Sequence, residues 1–168
     1  MTKTLTTQRF TLRPYRMSDA PVVAGYLNDI DFGRWIGMMP YPYTLADAQE
    51  FIGSELENGP SALVVLEGDT LKGCVSNRAE LGNWVAKPFW GQGIATEASR
   101  AVIADHFRDP EKAEIHSGHA VDNHASARVL SKLGFRPNGF EDRPNLALGR
   151  PNRLQKRVLT RADWEARS

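Results

Sequence analysis

The most constraining feature of this sequence is a predicted strand that runs through a glycine turn straight into a predicted helix. The segment covers residues 81–98, and its turn contains Gly91 and Gly93. Glycine at such positions lets the backbone come close to a ligand. The first N–H groups of a helix have no partner within it, and the helix dipole adds positive charge at the same end. The segment therefore predicts a site for a phosphate or pyrophosphate group.

The turn does not match two well-known phosphate loops. A P-loop requires a Lys-Ser/Thr pair after its last glycine, where this chain has Ile94 and Ala95. The dinucleotide-binding fingerprint ends in Gly or Ala, where this chain has Thr96. Many helices also begin after a glycine for steric reasons alone. Taken by itself, the turn leaves open which ligand it binds, and whether it binds one.

Apolar periodicity around this segment predicts an α/β chain. Thr44 and Asp47 have the spacing of a capping box, and the helix after them is expected to present Phe51, Ile52 and Leu56 on one face. A run of strands followed by alternation with helices predicts a mixed sheet with helices on its faces. The other expected elements are strands at 9–14, 62–66, 71–76, 80–87, 113–121, 135–140 and 154–160, and helices at 18–28, 90–107 and 123–133.

Composition restricts the class of protein. A chain of 168 residues with 41% hydrophobic and 24% charged residues is typical of one globular domain, here residues 1–168. The 21 Lys and Arg nearly balance the 20 Asp and Glu, which argues against a general nucleic-acid binder. One cysteine, Cys74, cannot form an internal disulfide, and neither a membrane span nor a signal peptide is visible. We expect a cytoplasmic enzyme or small-molecule binder, a monomer or homodimer, with no membrane partner.

A second motif, later in the chain, indicates which family the glycine turn belongs to. It begins at Asn123 and ends at Phe135, and it fits the pattern N-x-x-S-x-x-V/L-x-x-K-x-G-F. Together, the two motifs resemble the GNAT superfamily of N-acetyltransferases, and more narrowly its RimJ/RimL-like branch. The turn of that branch commonly reads W-G-x-G-x-A-T-E-A, which residues 90–98 match throughout. The resemblance extends over residues 8–160 and is much less specific for the acceptor than for the cofactor.

The resemblance implies a fold and a cofactor. It implies a GNAT-like α/β (α+β) fold with a mixed, mostly antiparallel central sheet, helices on both faces, and a splayed strand pair at 80–87 and 113–121. Coenzyme A would lie in the splay, where the backbone at Trp84 and Val85 would contact its pantetheine arm. The Val85 N–H would polarise the thioester carbonyl, and Asn123 would bind the pantetheine. The remaining implied cofactor residues are Trp90, Gly91, Gln92, Gly93, Ile94, Ala95, Thr96 and Ser126. No metal is implied.

The implied reaction is direct attack of a primary amine on acetyl-CoA. An α-amine of pKa about 7.7–8.0 is roughly one-tenth neutral at pH 7, whereas a lysine near 10.4 is neutral roughly once in 2,500. The α-amine of a protein N-terminus therefore needs only a weak general base, and Glu80, acting through water, is the candidate for that base. Many family members have a Tyr seven residues after the Asn, where this chain has Leu130, so Ser126 is the candidate acid. Glu80 as a solvated strand-edge carboxylate, and Ser126 as a backbone-binding or cofactor-binding serine, remain alternatives.

Other interpretations of the chain stay open at this point. The acceptor could be a small amine such as a polyamine, an aminoglycoside or an amino acid. A non-catalytic acyl-CoA-binding module and, more weakly, a nucleotide-binding domain are the rivals from other classes. His116 and His119 fall on opposite faces of one strand and could not share a metal. The loop at 34–43 is expected to wall the acceptor site, and Cys74 is expected to pack in or beside the core.

Overall fold

Eight strands of the described residues form one mixed sheet. The computed structural model describes residues 3–167. The strands are β1 (Leu5–Thr6), β2 (Thr11–Pro14), β3 (Ala62–Glu67), β4 (Thr70–Asn77), β5 (Leu81–Val85), β6 (Glu114–Ala120), β7 (Arg136–Arg143) and β8 (Asn152–Thr160). Their order across the sheet is β1-β2-β3-β4-β5-β6-β8-β7. Only the β5/β6 pair among these described strands is parallel, so the expected mostly antiparallel sheet is confirmed.

Helices cover both faces of the sheet, as expected. They are α1 (Ala20–Leu27), α2 (Ile30–Gly33), α3 (Leu45–Asn58), α4 (Ile94–His106), α5 (His124–Leu133) and α6 (Arg161–Glu165). One core contains Ile103 of α4 and Leu130 of α5. The other contains Val23 of α1 and Ile52 of α3, and Cys74 belongs to it, as expected for a core cysteine. The sheet therefore separates two apolar layers.

The start of α3 follows the sequence prediction, but its buried face does not. The Asp47 N–H donates to Thr44 Oγ1 at 3.2 Å and the Thr44 N–H donates to Asp47 Oδ2 at 2.7 Å, which completes the capping box. Ile52 is buried, but Leu56 is 54% exposed and Phe51 is 40% exposed. The prediction that all three share the buried face is therefore wrong.

A carboxylate takes the place that the prediction gave to Leu56. Glu55 is buried and accepts from the N–H groups of Ser61 and Ala62, at 2.8 and 2.9 Å, where β3 begins. These donors compensate the cost of burying the charge. Phe51 turns outward and packs edge-to-face on Tyr15, with ring centroids 5.5 Å apart.

The shortest elements escaped the sequence prediction. β1, α2 and α6 span two, four and five residues, too few for apolar periodicity to show. α4 was expected from residue 90 but begins at Ile94, because Gly91 and Gly93 both have φ of 75° and hold a turn ahead of it. Because α4 starts later, the turn at 90–93 precedes the helix, and the first helical N–H groups lie next to that turn.

Candidate active site

The strands β5 and β6 are neighbours that separate almost at once. Within residues 3–167 they share one Cα register pair, Leu81 with Ser117. The Ser117 hydroxyl also donates to the Leu81 carbonyl at 2.7 Å. Both strands run the same way, so residues 82–85 and 118–120 lie beyond this point without pairing to each other. We call the gap between these two stretches the splay, and it lies where the sequence predicted it.

The hydrogen-bond alternation of β5 decides which backbone groups face the splay. The Ala86 N–H donates to the Lys72 carbonyl at 2.8 Å, so Ala86 and Lys72 form a hydrogen-bonded pair. In an antiparallel ladder every second residue points its backbone groups at the partner strand. Trp84 therefore directs its N–H and C=O toward β4, and Val85 directs its own toward the splay. The Val85 carbonyl accepts from Trp90 Nε1 at 2.6 Å, and its N–H points into the splay.

The glycine turn, residues 90–93, lies at the end of the splay. Gly93 is the N-cap of α4 and has no side chain to cap it. The first intrahelical bond runs from the Glu97 N–H to the Gly93 carbonyl at 3.1 Å, so the N–H groups of Ile94, Ala95 and Thr96 have no acceptor in the helix. A Cβ built on Gly91 would meet no atom within 4 Å. The turn is thus an open cradle of backbone donors at a positive helix end.

Arg9, for which the sequence predicted no role, also contacts this turn. Arg9 Nη1 donates to the Gln92 carbonyl at 3.1 Å, and Arg9 Nε donates to the Glu97 carboxylate at 2.7 Å. Arg9 lies far from the turn in sequence, and a single arginine before a strand carries no signal of a tertiary partner.

The N-terminus of α5 supplies two polar side chains. Asn123 Oδ1 accepts from the Ser126 N–H at 3.2 Å and so caps the helix. Asn123 Nδ2 and Ser126 Oγ have no hydrogen-bond partner among the described residues, and both residues are half-buried. Leu130, where family members often have Tyr, is fully buried in the core and offers no proton donor.

Glu80 lines a groove at the closed end of the splay, directly before the Leu81–Ser117 pair at which β5 and β6 separate. Arg143 holds its carboxylate with two hydrogen bonds, from Nη2 at 2.7 Å and from Nη1 at 2.8 Å. These bonds lower the pKa of Glu80 below its usual value, against the smaller effect of burial. The groove has a volume of about 640 Å³ and is lined by Arg78, Ala79, Glu80, His116, Arg143 and Lys156. His116 had received no role from the sequence, and its imidazole is a second acid–base group in the Glu80 groove.

Hydrogen bonds join residues 33–37 to the β7–β8 loop. Asn145 Nδ2 donates to the carbonyls of Gly33 and Arg34 at 3.1 and 3.2 Å, and the Leu146 N–H donates to the Gly37 carbonyl at 2.8 Å. We call these contacts the clasp. α2 lies beside the open end of β5, because the Phe32 ring packs on those of Trp84 and Trp90 at 6.1 and 5.9 Å. The clasp therefore joins α2 and the residues after it to the β7–β8 loop, while α2 itself packs on the aromatic rings near the end of β5.

The described residues form neither a metal-ligand cluster nor a membrane-spanning helix. Over residues 3–167, no three His, Cys, Asp or Glu side chains come together as metal ligands. His119 is buried and its Nδ1 lies 2.8 Å from the Ala120 carbonyl, while His116 faces the Glu80 groove, so the predicted opposite placement is confirmed. No helix in this range is long and apolar enough to span a membrane.

Comparison with known proteins gives a family and a set of relatives. The family model described as "Acetyltransferase (GNAT) domain" matches residues 9–136. A Bacillus subtilis protein named "Putative ribosomal N-acetyltransferase YdaF" is 27% identical over 94% of each chain. Two solved structures share the fold at low identity, which is evidence for the fold alone. The apo form of RimL, a ribosomal L7/L12 α-N-protein acetyltransferase, has a TM-score of 0.80, 16% identity and coverage of 95% of both chains. The microcin C7 self-immunity acetyltransferase MccE, in complex with acetyl-CoA and AMP, has a TM-score of 0.78, 18% identity and coverage of 91% and 93%.

Proposed function

Since this chain belongs to the GNAT acetyltransferase family and resembles its RimJ/RimL-like branch, we propose that it acetylates the α-amine of a protein N-terminus, with acetyl-CoA as donor. Membership of the family makes it an acetyltransferase, which speaks against the non-catalytic binding module. The acceptor class and the roles of individual residues are the content of the proposal.

The observation that carries the proposal is the position of the glycine turn at the open end of the splay. An elongated ligand with a diphosphate at one end and an amide-rich arm at the other meets complementary groups there. The N–H groups of residues 94–96 suit the diphosphate. The unpaired backbone of β5 suits the amides of the arm, because backbone groups must find partners. The residues present therefore fit acetyl-CoA, which supplies an activated thioester when bound.

Four groups of this chain would act on the reaction. The Val85 N–H donates to the thioester oxygen, where negative charge develops. Asn123 Nδ2 donates to the pantetheine arm while Oδ1 caps α5. Glu80 accepts a proton from the amine through bridging waters, and Ser126 Oγ donates one to the leaving sulfur as the C–N bond forms and the C–S bond breaks. Solvent then returns the proton from Glu80 to Ser126, so that the proton lost by the amine ends on the thiol of coenzyme A.

The state of Glu80 favours an α-amine over a lysine as the acceptor. Arg143 lowers the pKa of Glu80, which makes it a weak base. A weak base suits an amine that is already partly neutral at pH 7, whereas deprotonating a lysine amine at pH 7 costs about 4.6 kcal/mol. The names of the Bacillus subtilis relative and of the RimL structure, both of ribosomal-protein N-acetylation, point to the same acceptor class.

The test is acetyl-CoA turnover, followed by release of free thiol, with three matched acceptors. They are a peptide with a free α-amine and no lysine, the same peptide with a blocked N-terminus and one lysine, and spermidine. We expect turnover with the first and none with the other two, and mass spectrometry should place the acetyl group on the N-terminal residue. Turnover confined to the lysine peptide or to spermidine would contradict the α-amine proposal.

A further inference from the structure

The anion site at the N-terminus of α4 contains a charge of the wrong sign. Glu97 lies in the first turn of that helix, where a carboxylate competes with a phosphate for the same positive helix end. Three hydrogen bonds from the N-terminal segment fix this carboxylate. They come from Thr7 Oγ1 at 2.7 Å, the Arg9 N–H at 3.0 Å and Arg9 Nε at 2.7 Å. The same contacts tie the N-terminal segment to the anion site.

Arg9 also reaches the turn itself. Its Nη1 donates to the carbonyl of Gln92, the residue between the two glycines. Its Nη2 has no hydrogen-bond partner among the described residues and lies 3.6 Å from the position a Cβ on Gly93 would take. One guanidinium thus spans Glu97 and the glycine turn, with an N–H group left over beside the turn.

Glu97 stays ionised at neutral pH, so its charge has to be compensated. Burial acts to raise the pKa of Glu97, but the hydrogen bonds from Thr7 and Arg9 outweigh it and hold the pKa below the usual value. Without Arg9, an anionic ligand would approach a helix end that carries an uncompensated carboxylate. The Gln92 carbonyl would also be free to rotate toward the ligand, with its negative end foremost.

We propose that Arg9 is a positioning residue for the diphosphate of the cosubstrate. It neutralises Glu97 and holds the Gln92 carbonyl away, so that the N–H groups of residues 94–96 face the ligand alone. The proposal rests on the proposed function, because it takes the glycine turn to be a diphosphate site. A purely structural role for Arg9, as an anchor of the N-terminal segment, is the alternative.

Two ligands separate these roles. Acetyl-CoA carries the diphosphate, and S-acetylpantetheine has the same thioester and arm without it. We expect Arg9→Ala to weaken acetyl-CoA binding about tenfold in calorimetry and to leave S-acetylpantetheine binding unchanged. Arg9→Lys, which keeps the charge but loses the fork, should fall between wild type and Arg9→Ala. It also serves where Arg9→Ala folds poorly, as judged by its circular dichroism spectrum.

A second substitution tests the electrostatic part. Adding Glu97→Gln to Arg9→Ala should recover part of the lost acetyl-CoA affinity, because the uncompensated charge is removed. Arg100→Ala is the matched control, since Arg100 is an exposed cation of the same helix that makes no contact with the turn. Equal weakening of both ligands, or no weakening of either, would overturn the role of Arg9. Failure of the wild-type protein to bind acetyl-CoA would instead overturn the proposed function.

Discussion

Arg143 holds the carboxylate of Glu80 with two hydrogen bonds, one to each oxygen, although 63 positions separate the two residues in the sequence. Its Nε and Nη2 also donate to Glu141, at 3.0 and 2.8 Å. The Arg143 side chain thereby links the end of β7 to the start of β5 and sets both the orientation and the basicity of Glu80. The pKa of Glu80, the base proposed from the sequence, is therefore lowered by a residue 63 positions away to which the sequence assigned no role.

Loss of Arg143 should shift the pH dependence of catalysis. Glu80 acts as a base only when deprotonated, so kcat/KM falls as the pH drops through its pKa. Arg143 lowers that pKa, and Arg143→Ala removes the effect. The acidic limb of the kcat/KM profile should therefore move to higher pH. An unmoved limb would show that Glu80 is not the group titrated.

Glu80→Gln should lower turnover by about 10²-fold, the lower end of general-base effects, since an α-amine needs little deprotonation. Glu141→Gln is the matched control, because Glu141 shares Arg143 but does not line the Glu80 groove. If His116→Ala abolished turnover and Glu80→Gln did not, the base would be His116.

Ser126→Ala should lower kcat about tenfold or more with little change in acetyl-CoA affinity. The capping bond to Asn123 comes from the backbone of Ser126, so the start of α5 should survive the substitution. Steady-state kinetics with both substrates varied measures the split between kcat and KM. Ser131→Ala, on the same helix, controls for loss of a hydroxyl, and equal kcat values for Ser126→Ala and wild type would refute a proton donor at Ser126.

Gly93→Asp should abolish acetyl-CoA binding. The new carboxylate would stand at the helix N-terminus, and the φ of 75° strains any residue with a Cβ. Gly93→Asn separates the two effects, because Asn tolerates this conformation and carries no charge. We expect calorimetry to show weakened binding for Asn and none for Asp. Wild-type affinity in the Asp variant would exclude the glycine turn as an anion site.

Asn145→Asp should raise the KM for the acceptor several-fold and leave acetyl-CoA affinity unchanged. A carboxylate would face the Gly33 and Arg34 carbonyls that the Asn145 amide now binds, which opens the clasp at a cost of about 1–3 kcal/mol. Asn152→Asp is the control, as Asn152 binds the Arg34 carbonyl from an exposed position. An unchanged acceptor KM would separate the clasp from acceptor binding.

Glu55 should control acid stability. Burial acts to raise its pKa, but hydrogen bonds from Ser61, Ala62 and Arg78 outweigh it, so the pKa lies below the usual 4.5. A lowered folded-state pKa stabilises the protein above the unfolded-state pKa, and this stability is lost as the pH falls through the folded-state value. Glu55→Gln should therefore lower the free energy of unfolding at pH 7, and by progressively less as the pH falls from 4.5 through the folded-state pKa. Urea denaturation at pH 7 and at a series of acidic pH values measures the difference, and a constant gap would contradict it.

Local patterns were enough for most of the secondary structure. The capping box at Thr44, the glycine at the end of α5 and the short apolar run in β3 depend on neighbours a few residues away. The same holds for the turn at Gly91 and Gly93. The prediction of the buried face of α3 was wrong because Glu55 binds backbone groups at the start of β3, which helical periodicity does not take into account. The single domain over residues 1–168 and the monomer or homodimer state stay predictions.

By itself, the sequence determined the family, the fold class and the glycine turn with its unpaired backbone donors at the start of α4. These depend on short motifs whose geometry is set by φ angles and hydrogen bonds within one turn of chain. Only the tertiary structure decided which charges meet. It paired Glu80 with Arg143, Glu97 with Arg9, and Asn145 with the Gly33 carbonyl, because strands and loops distant in sequence become neighbours when the sheet packs between its two cores. Charge pairing over such separations leaves no periodic trace in one sequence, yet it sets the basicity of Glu80 and the charge at the helix end.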